Sequence, residues 1–272
     1  GGSSSSSALD AAEAAVRSLE DCPLFNAGRG SVLSHDGTVR MDASVAVCPV
    51  DGLGEGRVQI ADAGSVAGVT AARNPISLAR AVMERSPHVM LVGEGAEEFG
   101  RGLPREARVE FAEDVGYFVT ERRAEQLRRV QDSEDGPDGG GTAAARLDHD
   151  ARDDKFGTVG CVAVSPTHIA AATSTGGMTG QRWGRVGDSP VIGAGTYSSR
   201  LCGVCCTGHG EWFLRCAAAS DVARRLEYRH GYGDGGGPSD GSLLRRAVEE
   251  VIVGTLGGRK KGGGEGGAIA ID

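Results

Sequence analysis

The sequence has 272 residues, of which 39% are hydrophobic, and its formal net charge at pH 7 is −8. This length and apolar content are enough for one sizeable core, so we expect a single domain over residues 1–272. The acidic balance argues against a nucleic-acid partner, and no run approaches the roughly 18–20 apolar residues of a membrane-spanning helix. The chain opens on GGSSSSS without a methionine or a signal-peptide pattern, so we expect its true start to be missing.

The cysteines predict free thiols. Their number is odd, and their spacing matches neither a zinc site nor a CxxC redox pair. Disulfides are rare in reducing compartments, where cysteines commonly occupy the core. We therefore expect reduced thiols in a cytoplasmic protein. The seven are Cys22, Cys48, Cys161, Cys202, Cys205, Cys206 and Cys216.

Helices and strands follow one another over the first 130 residues. Ser7 is a predicted N-cap for a helix that ends before the loop CPLFNAGRG at 22–30. Residues 31–47 predict two strands joined by an Asp36-Gly37 turn, because Asp-Gly between apolar runs is typical of hairpins. Beyond them, the patterns predict a strand over 64–70, a helix from Asn74 and Pro75 to about Glu84, and helices near Glu94 and over 120–130.

The second half begins after a change of composition. From about 131 to 155 the chain is charged and glycine-rich, which predicts a disordered linker. A hairpin of small apolar residues with a Ser165-Pro166 turn follows, and its composition predicts burial on both faces. A strand over 201–208 comes next. Helices over 211–228 and 243–256 and a strand over 268–272 complete the pattern. Runs of strands and runs of helices predict an α+β fold of stacked layers, with helices covering two sheets.

The Gly157-Thr158 pair, at the junction of the linker and the hairpin, is a candidate for self-cleavage. A threonine hydroxyl can attack the preceding carbonyl, and hydrolysis of the resulting ester leaves Thr158 with a free α-amine. That amine has an unperturbed pKa of about 7.7–8.0, so it can act as the base for its own hydroxyl. The alternative is a strand that merely starts with threonine.

Three further segments carry candidate chemistry. TSTGGMTG (173–180) sets hydroxyls beside glycines, which let a ligand approach the backbone closely. In GRVGDSP (184–190), Arg185 and Asp188 match the carboxylate and ammonium of an α-amino acid. CTGHGE (206–211) places Thr207 and a backbone N–H at the start of a helix, as in an oxyanion hole. Each has a plain alternative: two ordinary turns, and a surface ion pair between Arg185 and Asp188.

The combination and order of these motifs resemble the plant-type L-asparaginase and isoaspartyl peptidase family of N-terminal nucleophile (Ntn) hydrolases. The motifs are GTVG, TSTGGMT, GRVGDSP with IGAGTY, and CTGHGE. Upstream, PLFNAGRGSVL, MDAS, RNPISLARAVME and HVMLVGEGAEEF resemble the α-chain half of the same family. The similarity covers nearly the whole chain outside residues 131–152.

The resemblance implies a four-layer αββα sandwich and hydrolysis of L-asparagine and β-aspartyl dipeptides. It implies cleavage at Gly157-Thr158 into an α chain (1–157) and a β chain (158–272), and a dimer of αβ units. Thr158 is then the nucleophile and Thr175 the assisting hydroxyl. Arg185 and Asp188 hold the substrate's charged groups, and Thr207, Gly208 and Gly210 line the oxyanion side. No cofactor is implied for catalysis, but a structural sodium ion is, bound by the main-chain carbonyls of Leu19, Glu20, Cys22, Phe25, Ala27 and Arg29.

The sequence also departs from the family pattern. An HGGAG-like strand before the first helix and an FNT-GM-RG strand after AIAID are absent, so we expect both ends to be truncated. Other functions remain open: a glycosylasparaginase-type amidase, which shares GRVGDSP, or an unprocessed, inactive fragment that only self-associates. A phosphate-binding loop at GLGEGR (52–57) is a weaker alternative, because it lacks the strand–helix context and the lysine of nucleotide loops.

Overall fold

Two groups of helices enclose two β-sheets. The computed structural model describes residues 6–50, 61–134, 157–232, 242–256 and 266–272. Most of the predicted linker and the GLGEGR segment lie outside these ranges. Within them, no helix has the length and apolar character needed to cross a membrane.

The helices and strands are numbered here in chain order. The first half contains α1 (Ser6–Glu20), β1 (Met41–Pro49), β2 (Asp62–Val69), α2 (Pro75–Arg85), β3 (Met90–Val92), α3 (Gly93–Arg101) and α4 (Glu121–Glu134), with 3₁₀ turns at Arg105–Ala107 and Val115–Phe118. The second half contains β4 (Val159–Val164), β5 (His168–Thr175), β6 (Thr196–Ser198), β7 (Gly203–Gly208), α5 (Gly210–Cys216), α6 (Ala218–Tyr232), α7 (Ser242–Glu249), a π-helical segment (Glu250–Leu256) and β8 (Gly266–Ile271).

The first sheet has five strands in the order β3-β2-β1-β5-β4. β4 and β5 form the predicted antiparallel hairpin, and β5 pairs with β1 along its whole length. The central strands are almost completely buried and rich in alanine and valine, as expected for a sheet covered on both faces. Edge strand β4 is only half-buried, so the prediction of burial on both faces is wrong for it.

The second sheet has the order β6-β7-β8 and lies against the first, with β6 and β7 contacting β1, β4 and β5. Helices α1 and α2 cover the outer face of the first sheet, and α6 covers β6 and β7. Apolar clusters fill both helix–sheet interfaces. The layer order is therefore α, β, β, α, and the predicted α+β sandwich is confirmed.

Several local predictions need correction. Residues 31–40 contain an isolated bridge between Leu33 and Val39 instead of a full strand, although the Asp36-Gly37 turn is present. Helix α1 begins at Ser6, so Ser7 is not its cap, and α4 continues to Glu134, beyond the predicted start of the linker. The helix predicted over 211–228 is broken at Ala217, whose left-handed backbone (φ 48°) separates α5 from α6.

Candidate active site

The β4–β5 hairpin brings the two candidate threonines together. Val159 pairs with Ser174, so the residue before β4, Thr158, faces the last residue of β5, Thr175. The Thr158 hydroxyl donates to Thr175 Oγ1 at 3.0 Å, and the Gly177 N–H donates to the same oxygen at 3.1 Å. Because Thr175 accepts both bonds, its own hydroxyl proton remains available to another acceptor.

Thr207 lies across the sheet interface, beside the candidate cleavage point. It stands near the end of β7, paired with Gly267 of β8, and is followed by Gly208. A methyl group added at Gly157 would lie 3.6 Å from Thr207 Oγ1. The structure therefore places a hydroxyl donor next to the Gly157-Thr158 peptide, where an oxyanion would form when Thr158 attacks that carbonyl.

Arg185 is held in a fixed orientation by two side chains. Its Nε and one terminal nitrogen donate to the two Glu211 carboxylate oxygens at 3.1 and 3.2 Å. The other terminal nitrogen donates to Gln181 Oε1 at 3.1 Å. Burial would raise the pKa of Glu211, but the hydrogen bonds and charge of Arg185 outweigh it and lower that pKa. Arg185 thus forms its ion pair with Glu211 and not with Asp188, which contradicts the surface-pair alternative.

Asp188 is a buried carboxyl group that forms no ion pair with any residue that the structure describes. Asp188 is 5% exposed, and its Oδ2 has no hydrogen-bond partner among the described residues. Burial raises its pKa to about 7, although the Arg185 charge acts in the opposite direction. Gly210 explains how the backbone packs so closely here, since a Cβ at Gly210 would lie 2.7 Å from Asp188 Oδ1 and 3.0 Å from an Arg185 nitrogen. Gly210 is therefore in contact with both charged groups.

Asp42, in MDAS, lies at the candidate site, although no sequence motif predicted a role for it. Two residues of β2 lie opposite it in a β-bulge, and the Gly68 N–H donates to its Oδ1 at 2.8 Å. Its Oδ2 accepts from the Gly187 N–H at 3.4 Å, which ties β1 to the loop that carries Arg185 and Asp188. Burial raises the pKa of Asp42 to about 6.

Asp42 and Gln181 connect the threonine pair to the charged pair. Asp42 faces Thr175 in the β1–β5 ladder and bonds to Gly187. Gln181 Oε1 accepts from Met178 N–H as well as from Arg185, so it spans the turn after Thr175. The two groups of candidate residues therefore belong to one site, built at the ends of β1, β5 and β7.

The predicted sodium loop is compact and its carbonyls are partly engaged. Arg29 N–H donates to the Glu20 carbonyl at 2.7 Å, and a Cβ at Gly28, whose φ is 51°, would collide with that same oxygen. Leu19 and Cys22 carbonyls accept from the N–H groups of Cys22 and Phe25. Each of these oxygens keeps a second lone pair. In the part of the chain that the structure describes, no cluster of acidic, histidine or cysteine side chains could hold a metal ion.

Residues 3–272 match the family model described as asparaginase. The chain belongs to the asparaginase family. Its relatives extend across bacteria, plants and archaea. The isoaspartyl peptidase of Escherichia coli K12 is 44% identical over 274 residues, which is 98% of this chain and 73% of the relative.

Two further relatives have a similar sequence identity to this chain. The probable isoaspartyl peptidase/L-asparaginase 2 of Arabidopsis thaliana is 42% identical over 260 residues, 90% of this chain and 72% of its own. The plant-type L-asparaginase of Thermococcus kodakarensis is 42% identical over 219 residues, 80% of this chain and 66% of its own. The resemblance seen in the motifs is thus confirmed across the chain.

Proposed function

We propose that this protein hydrolyses the side-chain amide of L-asparagine and the isopeptide bond of β-aspartyl dipeptides. The observation that carries the proposal is the Thr158–Thr175 hydroxyl pair, 3.0 Å apart, connected through Asp42 and Gln181 to the loop of Arg185 and Asp188. Among the described residues, none donates a hydrogen bond to Asp188 Oδ2. Relatives that match 90% or more of this chain carry the names isoaspartyl peptidase and probable isoaspartyl peptidase/L-asparaginase.

The first reaction is cleavage of the chain itself at Gly157-Thr158. Thr158 Oγ attacks the Gly157 carbonyl, and the Thr207 hydroxyl nearby stabilises the negative charge that develops. The peptide C–N bond breaks as an ester forms, and water then hydrolyses the ester. Gly157 becomes a free carboxylate, and Thr158 becomes the first residue of the β chain, with a free α-amine.

In the mature enzyme the Thr158 α-amine accepts the proton of the Thr158 hydroxyl, which attacks the substrate's side-chain carbonyl. Thr175 orients the hydroxyl, and Thr207 with Gly208 faces the oxyanion. The leaving amine takes the proton and departs as ammonia or as an amino acid. Water hydrolyses the remaining β-aspartyl ester, which releases aspartate and regenerates Thr158.

Substrate selection follows from the two charged groups. Arg185 binds the α-carboxylate, which displaces the partly exposed Glu211 side chain, and Asp188 binds the α-ammonium. With both α-groups held, the side-chain carbonyl is the electrophile that remains for Thr158. An α-linked aspartyl peptide has no free α-carboxylate on that residue, so it does not satisfy Arg185.

Three further properties belong to this proposal. The main-chain carbonyls of the 19–29 loop would hold a sodium ion, and the tight turn at Gly28, which packs against the Glu20 carbonyl, fits this use. The processed αβ unit would act as a dimer. The seven free cysteines, four of them buried, fit a reducing compartment such as the cytoplasm.

The experiment is a time course of the purified protein on a denaturing gel, combined with assays of three substrates. We expect two bands, which correspond to the fragments produced by cleavage between Gly157 and Thr158. We also expect turnover of L-asparagine and β-Asp-Leu but not of α-Asp-Leu. A single uncut band with no amidase activity would support the inactive-fragment alternative. Comparable turnover of α-Asp-Leu would exclude the assigned roles of Arg185 and Asp188.

A further inference from the structure

An exposed aromatic ring lies beside the site. Trp183 is 77% exposed, the largest value among the exposed large hydrophobic residues of the described part of the chain. It stands between Gln181 and Arg185, the two residues whose side chains bond to each other. Val186, on the other side of Arg185, is 38% exposed. The loop that presents the Arg185 guanidinium therefore also presents apolar surface to solvent.

A second arginine accompanies this ring. The Arg40 guanidinium carbon lies 6.0 Å from the centroid of the Trp183 ring, at the outer limit of a cation–π contact. One terminal nitrogen of Arg40 pairs with Asp36 at 3.1 Å. Its Nε is buried and has no hydrogen-bond partner among the described residues. The Arg40 side chain as a whole is 21% exposed, so part of it remains accessible to a ligand at the surface.

The backbone places Arg40 next to the catalytic groups. Arg40 directly precedes β1, two residues before Asp42, and alternate residues of an extended chain share a face. Asp42 faces Thr175 in the ladder and bonds to Gly187 in the loop of Arg185. The loop before Arg40 is also bonded to the same region, because His35 N–H donates to the Gln181 carbonyl at 3.0 Å. Arg40 and Trp183 thus lie at the rim of the site.

We propose that Arg40 and Trp183 form the subsite for the leaving amino acid of a β-aspartyl dipeptide. The proposal rests on the function proposed above. Arg40 binds the free carboxylate of the leaving residue, and Trp183 packs against its apolar side chain. The aspartyl α-carboxylate already occupies Arg185, so the second carboxylate of a dipeptide needs a second cation. L-Asparagine releases only ammonia and has no group to place in this subsite.

The test compares substrates with and without the groups that the subsite binds. The variants are Arg40→Gln and Trp183→Ala. The matched control is Arg101→Gln, because Arg101 also pairs with a carboxylate, Glu97 at 3.3 Å, and also lies over a ring, Phe111 at 4.4 Å. The readout is kcat/KM for β-Asp-Leu, for β-Asp-Leu with an amidated C-terminus, and for L-asparagine. Each dipeptide value is divided by the asparagine value for the same preparation.

Arg40→Gln should lower the β-Asp-Leu ratio by about 10-fold, as for a lost hydrogen bond to a charged group, and should leave the ratio for the amidated dipeptide within about twofold. Trp183→Ala should lower the ratio for both dipeptides by about 10-fold, because both carry the leucine side chain. Arg101→Gln should change neither ratio.

Four results would overturn the inference. Equal losses for the acid and the amide with Arg40→Gln would mean that Arg40 does not bind the carboxylate. Unchanged ratios in both variants would mean that the leaving group lies elsewhere. If the parent protein hydrolyses asparagine but no β-aspartyl dipeptide, the subsite is wrong while the amidase function stands; if it hydrolyses neither substrate, the proposed function fails and the subsite fails with it.

Discussion

Replacing Arg185 with lysine tests the substrate-binding roles most directly, because the change keeps the positive charge and removes the planar fork. In the structure the guanidinium donates two hydrogen bonds to Glu211 and one to Gln181, at 3.1–3.2 Å. A lysine ammonium is a compact charge that cannot present two parallel N–H groups to a carboxylate. Arg185→Lys therefore isolates the bidentate geometry from the charge.

The magnitudes follow from the contacts. A hydrogen bond to a charged group contributes about 1.5–3 kcal/mol, so losing one of two bonds to the substrate carboxylate predicts a fall in kcat/KM of about 10- to 150-fold. Arg185→Gln removes the charge as well. That charge opposes the effect of burial on the pKa of Asp188, which is about 7, so its loss raises the pKa further. A larger fraction of Asp188 is then protonated at neutral pH and cannot bind the α-ammonium, and we expect a fall of about 10³-fold.

The assay is kcat/KM for L-asparagine against pH, from about 5.5 to 9, on preparations that a gel shows to be fully processed. In Arg185→Lys, the acid limb of the pH profile should have the same midpoint as in the parent. In Arg185→Gln, that midpoint should move to higher pH. Activity of the lysine variant within threefold of the parent would refute the bidentate role. An unshifted acid limb in the glutamine variant would refute the coupling to Asp188.

Other changes test the nucleophile, the oxyanion side and a buried carboxyl group. Thr158→Ala should leave one uncut band on a gel without amidase activity; cleavage of that variant at Gly157 would exclude the mechanism. Thr207→Ala should lower kcat by about 10²–10³, as for other lost oxyanion donors, whereas a change in KM alone would remove Thr207 from this role. Burial raises the pKa of Glu20 to about 8, so the folded state retains a proton that the unfolded state loses, and this group destabilises the fold as pH rises from about 4.5 to 8. In urea denaturation, the free energy of unfolding should fall less steeply with pH over that range for Glu20→Gln than for the parent, by up to about 1.4 kcal/mol per pH unit. Parallel pH dependences of the two proteins would contradict the burial argument.

The elements with strong local patterns were predictable from the sequence. The β4–β5 hairpin followed from two runs of small apolar residues around Ser165-Pro166, and α2 followed from Pro75 and its apolar spacing. The failures have physical causes. The break at Ala217 depends on a left-handed alanine, for which the sequence gives no signal because glycine is the usual residue there. The short bridge at Leu33–Val39 depends on contacts with the Gln181 turn, far away in the sequence.

Within the candidate site, the residues in distinctive motifs were predicted from the sequence and the structure brings them together, whereas the residues that bond to them were not predicted. Thr158, Thr175, Arg185 and Asp188 stand beside glycines in recognisable order. Asp42 had one signal, a lone acid in an otherwise apolar strand, which indicates a buried carboxyl group with a specific partner. Glu211 had none, because a glutamate in the first turn of a helix is explained equally well by the helix dipole. Its pairing with Arg185 depends on β7 and the 184–190 loop meeting in the folded chain.

Under the proposed function, the charges of the site explain how it would bind an amino acid. Arg185 pairs with Glu211, while Asp188 has a raised pKa and no ion pair within the described part of the chain. The zwitterionic end of asparagine or a β-aspartyl group brings one charge of each sign. Its carboxylate takes the place of Glu211, whose side chain is 39% exposed and can return to water at small cost. Its ammonium supplies the partner that Asp188 lacks and favours the ionised carboxylate. On binding, the Glu211 carboxylate moves into water and Asp188 loses its proton. The substrate carboxylate then pairs with Arg185 and the substrate ammonium pairs with Asp188, so no uncompensated charge is left in the buried site.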